Sequence, residues 1–579
     1  MYSNEKNTQI LIALLKKHNI RTVIASPGTT NINFVASLQH DKHFQIFSSV
    51  DERSAAYMAC GMAAETLEPV VLSCTGATAS RNYVPALTEA FYRKLPILAV
   101  TSTQHIGNIG QLIPQVIDRS QTLKDIVKIS ITIPTIHDNQ DYKAAEIAIN
   151  EALLELRHKG GGPVHINLVT TYDKNFSTER LPDIRFIKRI SSREELPTIT
   201  QKKVGIFVGN HKRWDTKLTT LVENFCKQYN AVVLCDHTSN YQGKFRIFPG
   251  IVCGQNLYSA ECNNFDLLIH IGEVSGAYYG LSTKEVWRIN LDGKIADAFG
   301  KLTYVFEMSE EDFFSGYASN CSGVTLSSNS NFYTTWKNEV DRLIHKIPDL
   351  PFSNIWIAQH TIDKLPENSV LHLGILNSLR SWNFFEGKSS LLGYSNTGGF
   401  GIDGGLSSCV GASVIGKEKL YFIVLGDLAF FYDMNVLGNR HLPPNIRILL
   451  VNNGCGTEFK NYNHMAAMFG ENANDYIAAK GHFGQRSSEL VRHYAEDLGF
   501  DYMSASSKEE YLQQLEHFLS SESLNQPMLF EVFTDSTNES DALRKILHLD
   551  ISPEGTVKAA AKKLLGQKNV SKIKQILRK

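Results

Sequence analysis

The fold class expected from this sequence is α/β, with three doubly wound parallel-sheet domains followed by a helical C-terminal tail. Three observations predict it. Short apolar runs such as Val70-Val-Leu-Ser73 and Tyr421-Phe-Ile-Val-Leu425 alternate with longer amphipathic stretches, the rhythm of parallel strands joined by crossover helices. The chain has 579 residues, more than one hydrophobic core of roughly 250–300 residues would hold. Two polar stretches, Asp173 to Lys203 and Ser322 to Asn331, break the alternation and read as linkers.

The first domain is expected over residues 1–175. An amphipathic helix (Ile10 to Lys17) leads into the strand Thr22-Val-Ile-Ala25 and the turn Ser26-Pro27-Gly28-Thr29. A strand over Phe44 to Val50 meets a small-residue helix from Arg53 to Ala64, with Asp51 and Glu52 between them. A carboxylate at a helix start is ordinarily a cap, which suits Asp51. Glu52 precedes a helix of Ala, Gly, Ser and Cys whose lack of bulk implies close packing. The strand Val70 to Ser73 opens into a small, hydroxyl-rich turn from Cys74 to Asn82 that allows backbone to approach a flat ligand. A helix from Tyr83 to Arg93 and strands Leu95 to Thr101 and Pro163 to Val169 complete the unit.

The central domain, 200–325, carries apolar runs at Val204 to Gly209, Ala231 to Leu234, Phe265 to His270 and Val286 to Asn290. It has no Gly-x-Gly-x-x-Gly dinucleotide fingerprint. The third domain, 350–536, holds the chain's strongest chemical signal. Gly426-Asp427-Leu428 follows one apolar run and Asn452-Asn453-Gly454-Cys455 follows the next, so both clusters fall at strand ends, where open α/β sheets bind ligands. A hard cation such as Mg²⁺ takes oxygen ligands and keeps phosphates among them. Asp427 offers a carboxylate, Asn453 an amide oxygen and Cys455 a backbone carbonyl; its thiol suits a hard cation poorly. The tail, 537–579, has eight Lys and Arg and no acidic residue from Val557 onward, with apolar residues at helical spacing, and reads as a solvated helix.

Composition is that of an ordinary globular protein, 43% hydrophobic and 20% charged, with net charge −1, which gives no global pull toward nucleic acid or membrane. The polar N-terminus and the short apolar patch Ile10 to Leu15 argue against a signal peptide or spanning helix, so a cytoplasmic protein is expected. Nine scattered cysteines without a Cys-x-x-Cys pair argue against a disulfide framework or a zinc site.

Several motifs in order resemble the thiamine diphosphate (ThDP) enzymes: Ser26-Pro-Gly, Asp51-Glu-Arg-Ser-Ala-Ala, Cys74-Thr-Gly with Asn82-Tyr-Val-Pro-Ala-Leu-Thr-Glu-Ala90, Gln115-Val-Ile-Asp118, Asn377-Ser-Leu379, Ser395-Asn-Thr-Gly-Gly-Phe-Gly-Ile-Asp-Gly404 and Gly426-Asp-Leu. They are nearest to the menaquinone-pathway synthase of 2-succinyl-5-enolpyruvyl-6-hydroxy-3-cyclohexene-1-carboxylate, whose Gly-Asp-Leu accounts for Leu428. The resemblance implies a pyrimidine-binding first domain, a diphosphate-binding third domain, ThDP and Mg²⁺ as cofactors, and a homodimer or homotetramer with its sites at the subunit interface. It implies cofactor contacts from Pro27, Gly28, Thr29, Glu52, Thr75, Thr78, Asn82, Ser378, Leu379, Gly401, Ile402, Gly426, Asp427, Leu428, Asn453, Cys455, Gly456 and Thr457, and metal ligation by Asp427, Asn453 and Cys455. Glu52 would hydrogen-bond N1′ of the aminopyrimidine. Catalytic candidates beside it are Gln115, His105 and Glu458, which lies just past the metal loop.

The family's substrate arginines are replaced here by Thr30, Gln104, Trp382 and Thr397, none of which reproduces the guanidinium fork that grips carboxylates. The resemblance therefore implies a 2-oxo acid decarboxylase that ligates the product to an acceptor other than isochorismate, one that stacks on Trp382 or Phe400. Alternatives are a simple decarboxylase or lyase and an acetolactate synthase-like enzyme.

Overall fold

Strand Thr22–Ala25 pairs in parallel with Gln45–Ser48 on one side and Val70–Thr75 on the other, so the first three apolar runs of the chain form one sheet. In this computed structural model that sheet has six strands, continuing through Ile97–Thr103 and Val164–Val169 to Ser130–Ile133, all parallel. The structure describes all residues except 120–121, 277–279, 320–330, 483–485, 522–524 and 554–579. The linker expected at Ser322 to Asn331 falls almost wholly outside the described residues. So does most of the expected basic helical tail; its described part includes the helix Ser536–Ile546.

The chain divides into two compact units. One comprises Met1–Ile190 with Gly293–Val305 and holds the first sheet. Both faces of that sheet are covered, as a parallel sheet requires. Helices Lys6–Lys17 and Asn139–Glu155 pack Ile10, Leu14, Ile149 and Leu153 on one face. On the other, helix Glu52–Thr66 buries Ala55, Ala56, Ala59 and Ala63 beside Ala86 and Ala90 of helix Val84–Arg93. The missing bulk of the first of these helices is thus used to bring two helices and a strand together. The turn expected from Cys74 is shorter than its composition implies, because Cys74 and Thr75 still pair with Thr101 and Ser102 and a short helix, Thr78–Asn82, follows. The stretch read as a linker after Asp173 contains the strand Lys188–Ser191.

The other unit, Ser191–Asp292 with the chain from Phe306 onward, holds two large parallel sheets and a two-stranded one, Asn264–Phe265 with Ser282–Thr283. In the first, Arg246–Ile247, Val232–Leu234, Val204–Val208, Leu267–Ile271 and Val286–Asn290 lie side by side. The second runs Leu392–Tyr394, Val370–Leu373, Tyr421–Gly426, Ile446–Asn452, Met528–Phe533, Asp501–Ala505. Its two central strands are buried along almost their whole length, which is why they read as apolar runs without alternation. Side-chain hydrogen bonds tie the two sheets' loops together within this unit: His237 Nε2 lies 3.1 Å from the carbonyls of both Trp382 and Phe385, and Asn210 Nδ2 donates to Thr397 Oγ1 at 3.1 Å. Among the described residues, no helix is long and apolar enough to cross a membrane.

Candidate active site

Each unit carries one half of the residues singled out from the sequence. In the first, the chain leaves strand Thr22–Ala25 into Ser26-Pro27-Gly28-Thr29. Gly28 packs so closely that a Cβ there would sit 2.7 Å from Thr75 Cβ, which demands glycine. Thr29 is exposed, whereas Thr30 is buried, sharing a short hydrogen bond with Thr75 and donating to the Ser102 carbonyl at 2.8 Å.

Asp51 caps the next helix, its Oδ1 accepting from Arg53 N at 3.1 Å and its Oδ2 from Ser54 Oγ at 2.6 Å. Glu52 is the first helical residue and is half-buried. Its Oε2 meets Asn82 Nδ2 at 3.4 Å, so two residues far apart in sequence, which follow the two strands flanking Thr22–Ala25, come together. Thr78 is exposed at the start of the short helix that presents Asn82. Gln115 is exposed with φ +65°, and His105 is exposed with Nδ1 accepting from Gly107 N at 3.1 Å. His105 in this structure is a loop cap.

In the second unit, Asp427 begins the helix that follows strand Tyr421–Gly426. Its carboxylate is buried, and Oδ1 accepts from Leu428 N at 2.9 Å. Burial pushes its pKa up to about 6, against hydrogen bonds from the Leu428 and Gly454 backbone that pull it down. Asn452 points the other way: its Nδ2 donates to the fully buried Glu531, which also accepts from Tyr502. Gly454, at φ +72°, turns the chain, and Cys455 follows with its side chain buried and Thr457 Oγ1 3.4 Å from its carbonyl. Gly456 N donates to Ala478 O at 2.6 Å. Leu428 is half-buried, and Gly426 has almost open space around its Cα, with nothing nearer to a built Cβ than Val451 O at 4.0 Å. Backbone there is open to a ligand. Ser378 and Leu379 are buried, Ser378 Oγ accepting from Asn354 Nδ2 at 3.3 Å. Gly401 is exposed and Ile402 half-buried in the adjoining loop.

The structure shows the catalytic candidate Glu458 in an ion pair and corrects one reading, the stacking face of Trp382. Glu458 is not a free acid: Arg380 grips both its oxygens, Nη1 to Oε2 at 2.8 Å and Nη2 to Oε1 at 2.9 Å. Asn377, with its amide turned to match, donates to Oε2 at 2.8 Å and accepts from Glu458 N at 3.0 Å. Arg380 was missed, although it directly follows Asn377-Ser-Leu379; a guanidinium one turn along that helix is the signal that would have found it. Trp382 offers no face to an acceptor, because it is only 1% exposed and its Nε1 donates to Asn354 Oδ1 at 3.1 Å. Phe400 is 42% exposed, with φ +55°.

Residues 6–122 match the family model described as thiamine pyrophosphate enzyme, N-terminal TPP binding domain. The 2-succinyl-5-enolpyruvyl-6-hydroxy-3-cyclohexene-1-carboxylate synthase of Phocaeicola vulgatus is 31% identical over 95% of this chain and 99% of its own length. That of Bacteroides thetaiotaomicron is 30% identical over the same shares, and that of Flavobacterium johnsoniae 27% over 93% and 97%. The chain belongs to this ThDP-dependent synthase family.

ThDP and a divalent metal ion are accordingly its cofactors, and the second half-site fits them. Asp427 is a buried carboxylate with no cation paired to it among the described residues, a state that a metal ion relieves. The available donors are carboxylate, amide and carbonyl oxygens, the set Mg²⁺ prefers. In the first half-site, Glu52 keeps one weak partner and is open to another.

Proposed function

We propose that this protein is a ThDP- and Mg²⁺-dependent enzyme that decarboxylates a 2-oxo acid and joins the remaining acyl carbon to an acceptor other than isochorismate. When bound, ThDP supplies the carbanion stabilisation that decarboxylation needs, and the protein supplies binding, orientation and electrostatics. Residues 1–175 serve as the pyrimidine-binding domain, 200–325 as the central domain and 350–536 as the diphosphate-binding domain. Glu52 holds a proton at N1′ of the aminopyrimidine, with Asn82 steadying the carboxylate. Asp427, Asn453 and the Cys455 carbonyl hold Mg²⁺, while the backbone of Gly426 faces the diphosphate; Gly456 N–H and the Thr457 hydroxyl join it by leaving Ala478 O and Cys455 O. Because the two half-sites lie on separate units, a homodimer or homotetramer with composite sites is the assembly we assign.

The observation that carries the acceptor reading is the fate of the four replaced arginine positions. Thr30 is spent on Thr75 and Ser102, Thr397 is buried against Asn210, Trp382 lies in the core, and Gln104 accepts from Asn108 at 3.3 Å. None presents a guanidinium to a carboxylate, and a bidentate clamp has no substitute among these side chains. The ligating activity itself is supported by the relatives, each called a synthase. The test is a direct assay of the reconstituted enzyme with 2-oxoglutarate and isochorismate. Little or no adduct is expected, and efficient synthesis of the family product refutes the acceptor reading.

A further inference from the structure

Arg119 is an anomaly in the first unit. It is 7% exposed, its Nη2 donates to Asn167 Oδ1 at 2.6 Å, and its Nε and Nη1 have no hydrogen-bond partner among the described residues. No carboxylate among the described residues pairs with it either, although buried guanidinium groups are almost always paired. It lies directly beneath the turn after strand Val70–Thr75: a Cβ on Gly76 would stand 3.2 Å from Arg119 Nη2, so glycine there is what admits the guanidinium. The opposite side is closed by polar groups that carry no charge to offer. Asn167 donates onward to Thr132, and His165 is held between Thr101 and Ser130, its pKa lowered to about 3 by burial and by Arg119 itself.

A second guanidinium stands beside it. Arg81, in the short helix that presents Asn82 toward Glu52, donates from Nη2 to the Asp118 carbonyl at 3.2 Å, the peptide that leads into Arg119. Arg81 is exposed and has no carboxylate partner among the described residues. Burial lowers the Arg119 pKa to about 10, opposed by Cys74 and helped by the like charge of Arg81. Two arginines thus converge at the C-terminal ends of parallel strands, where open α/β sheets bind ligands, without a counter-anion.

The segment that leads into Arg119 holds disfavoured backbone. Leu112 and Gln115, neither of them glycine, adopt φ +58° and +65°, and Leu112 is 98% exposed. Left-handed backbone is disfavoured at residues with a Cβ. An incoming anion gains two guanidinium partners.

We infer that Arg81 and Arg119 form a carboxylate receptor for the substrates of this enzyme, built from positions other than those of the four replaced arginines. The inference rests on the proposed function only in taking the anion to be a substrate carboxylate. Arg81 provides the accessible fork and Arg119 the buried one, and together they bind an anion that Thr30 and Gln104 no longer hold.

The test uses the full-length protein with ThDP and Mg²⁺, titrated calorimetrically with pyruvate and with glutarate, for wild type, Arg81→Gln, Arg119→Met and Glu52→Gln. Wild type is expected to bind at least one probe, and both arginine variants to bind it at least tenfold more weakly. Weakened pyruvate places the receptor on the carboxylate next to the ketone; weakened glutarate alone places it on a remote carboxylate. Glu52→Gln should bind as wild type does, so a failure of the ThDP reading would show in its turnover and leave the arginine result standing. Arg119→Met removes an unpaired buried charge and should melt at or above the wild-type temperature. Wild type binding neither probe, arginine variants binding as wild type does, or weakening confined to a destabilised Arg119→Met overturns the inference.

Discussion

The Arg380–Glu458 pair makes a quantitative prediction about the segment that follows the metal loop. Two charge-assisted hydrogen bonds, at 2.8 and 2.9 Å, join a carboxylate 16% exposed to a guanidinium 35% exposed. A hydrogen bond to a charged group contributes about 1.5–3 kcal/mol, but exposed ion pairs are worth about 0–1 kcal/mol in total because water screens them. With one partner mostly buried and the other a third exposed, a coupling energy of about 2 kcal/mol is expected. Arg380→Met alone leaves Glu458 charged, half-buried and hydrogen-bonded only by Asn377 and Asn461, so it should be the most destabilised of the set. Glu458→Gln should be milder, and the double variant should lose less than the sum of the two. Urea unfolding of the four proteins, followed by a signal from the second unit, yields the coupling term directly. A term below about 0.5 kcal/mol refutes the view that the pair is a unit. The same set tests Glu458 as an acid: if its part is to neutralise Arg380, the double variant should recover ThDP-dependent turnover relative to either single one.

Three further outcomes follow from the geometry. Glu52→Gln should abolish turnover and leave Mg²⁺-dependent ThDP binding within severalfold of wild type, checked by cofactor titration beside a CO₂-release assay; an active variant removes Glu52 from its assigned place. Glu539 is fully buried with its pKa raised by burial to about 7, above an ordinary 4.5, so its contribution to stability is fully present below pH 4.5 and is lost as pH rises through 7. Glu539→Gln should therefore gain stability over wild type by roughly 2–3 kcal/mol between pH 5 and pH 8, a gain absent if unfolding midpoints of the two proteins move in parallel with pH. Trp382→Ala opens a cavity in a core residue and frees Asn354 Oδ1, and should cost about 3–5 kcal/mol, read from the unfolding midpoint; a near-neutral variant would return Trp382 to the list of substrate contacts.

What the residues alone disclosed, and what they hid, divides along a physical line. Strand ends and their ligand loops were legible because buried parallel strands are continuous apolar runs and the loop after each is short and rich in Gly, Asp and Asn. Gly426-Asp427 and Asn452-Asn453 could each be placed at a strand end by that rule alone, and the structure makes the two strands neighbours. Pairings between distant side chains were not legible. Nothing in the local pattern says that Arg380 closes on Glu458, that Trp382 turns inward to Asn354, or that Asn452 is held by Glu531. These depend on which helix faces which strand, a property of the packed chain. Composition was a sound guide at the small residues after Glu52, whose lack of bulk implies close packing and lets helices Glu52–Thr66 and Val84–Arg93 come together.

The two arginine arrangements bear on the proposed change of substrate recognition. In the second unit, the guanidinium that follows Asn377-Ser-Leu379 is cancelled by Glu458, so a carboxylate arriving there would have to displace an intramolecular one already held by two hydrogen bonds. Such an exchange gains little, because the entering and departing partners are chemically alike. In the first unit, Arg119 and Arg81 have no internal carboxylate to displace among the described residues, and the entering anion gains the full interaction. On the proposed reading, one guanidinium is quenched by Glu458 while Arg81 and Arg119 are not quenched by any carboxylate among the described residues, so charge pairing, rather than the count of arginines, decides where a carboxylate binds.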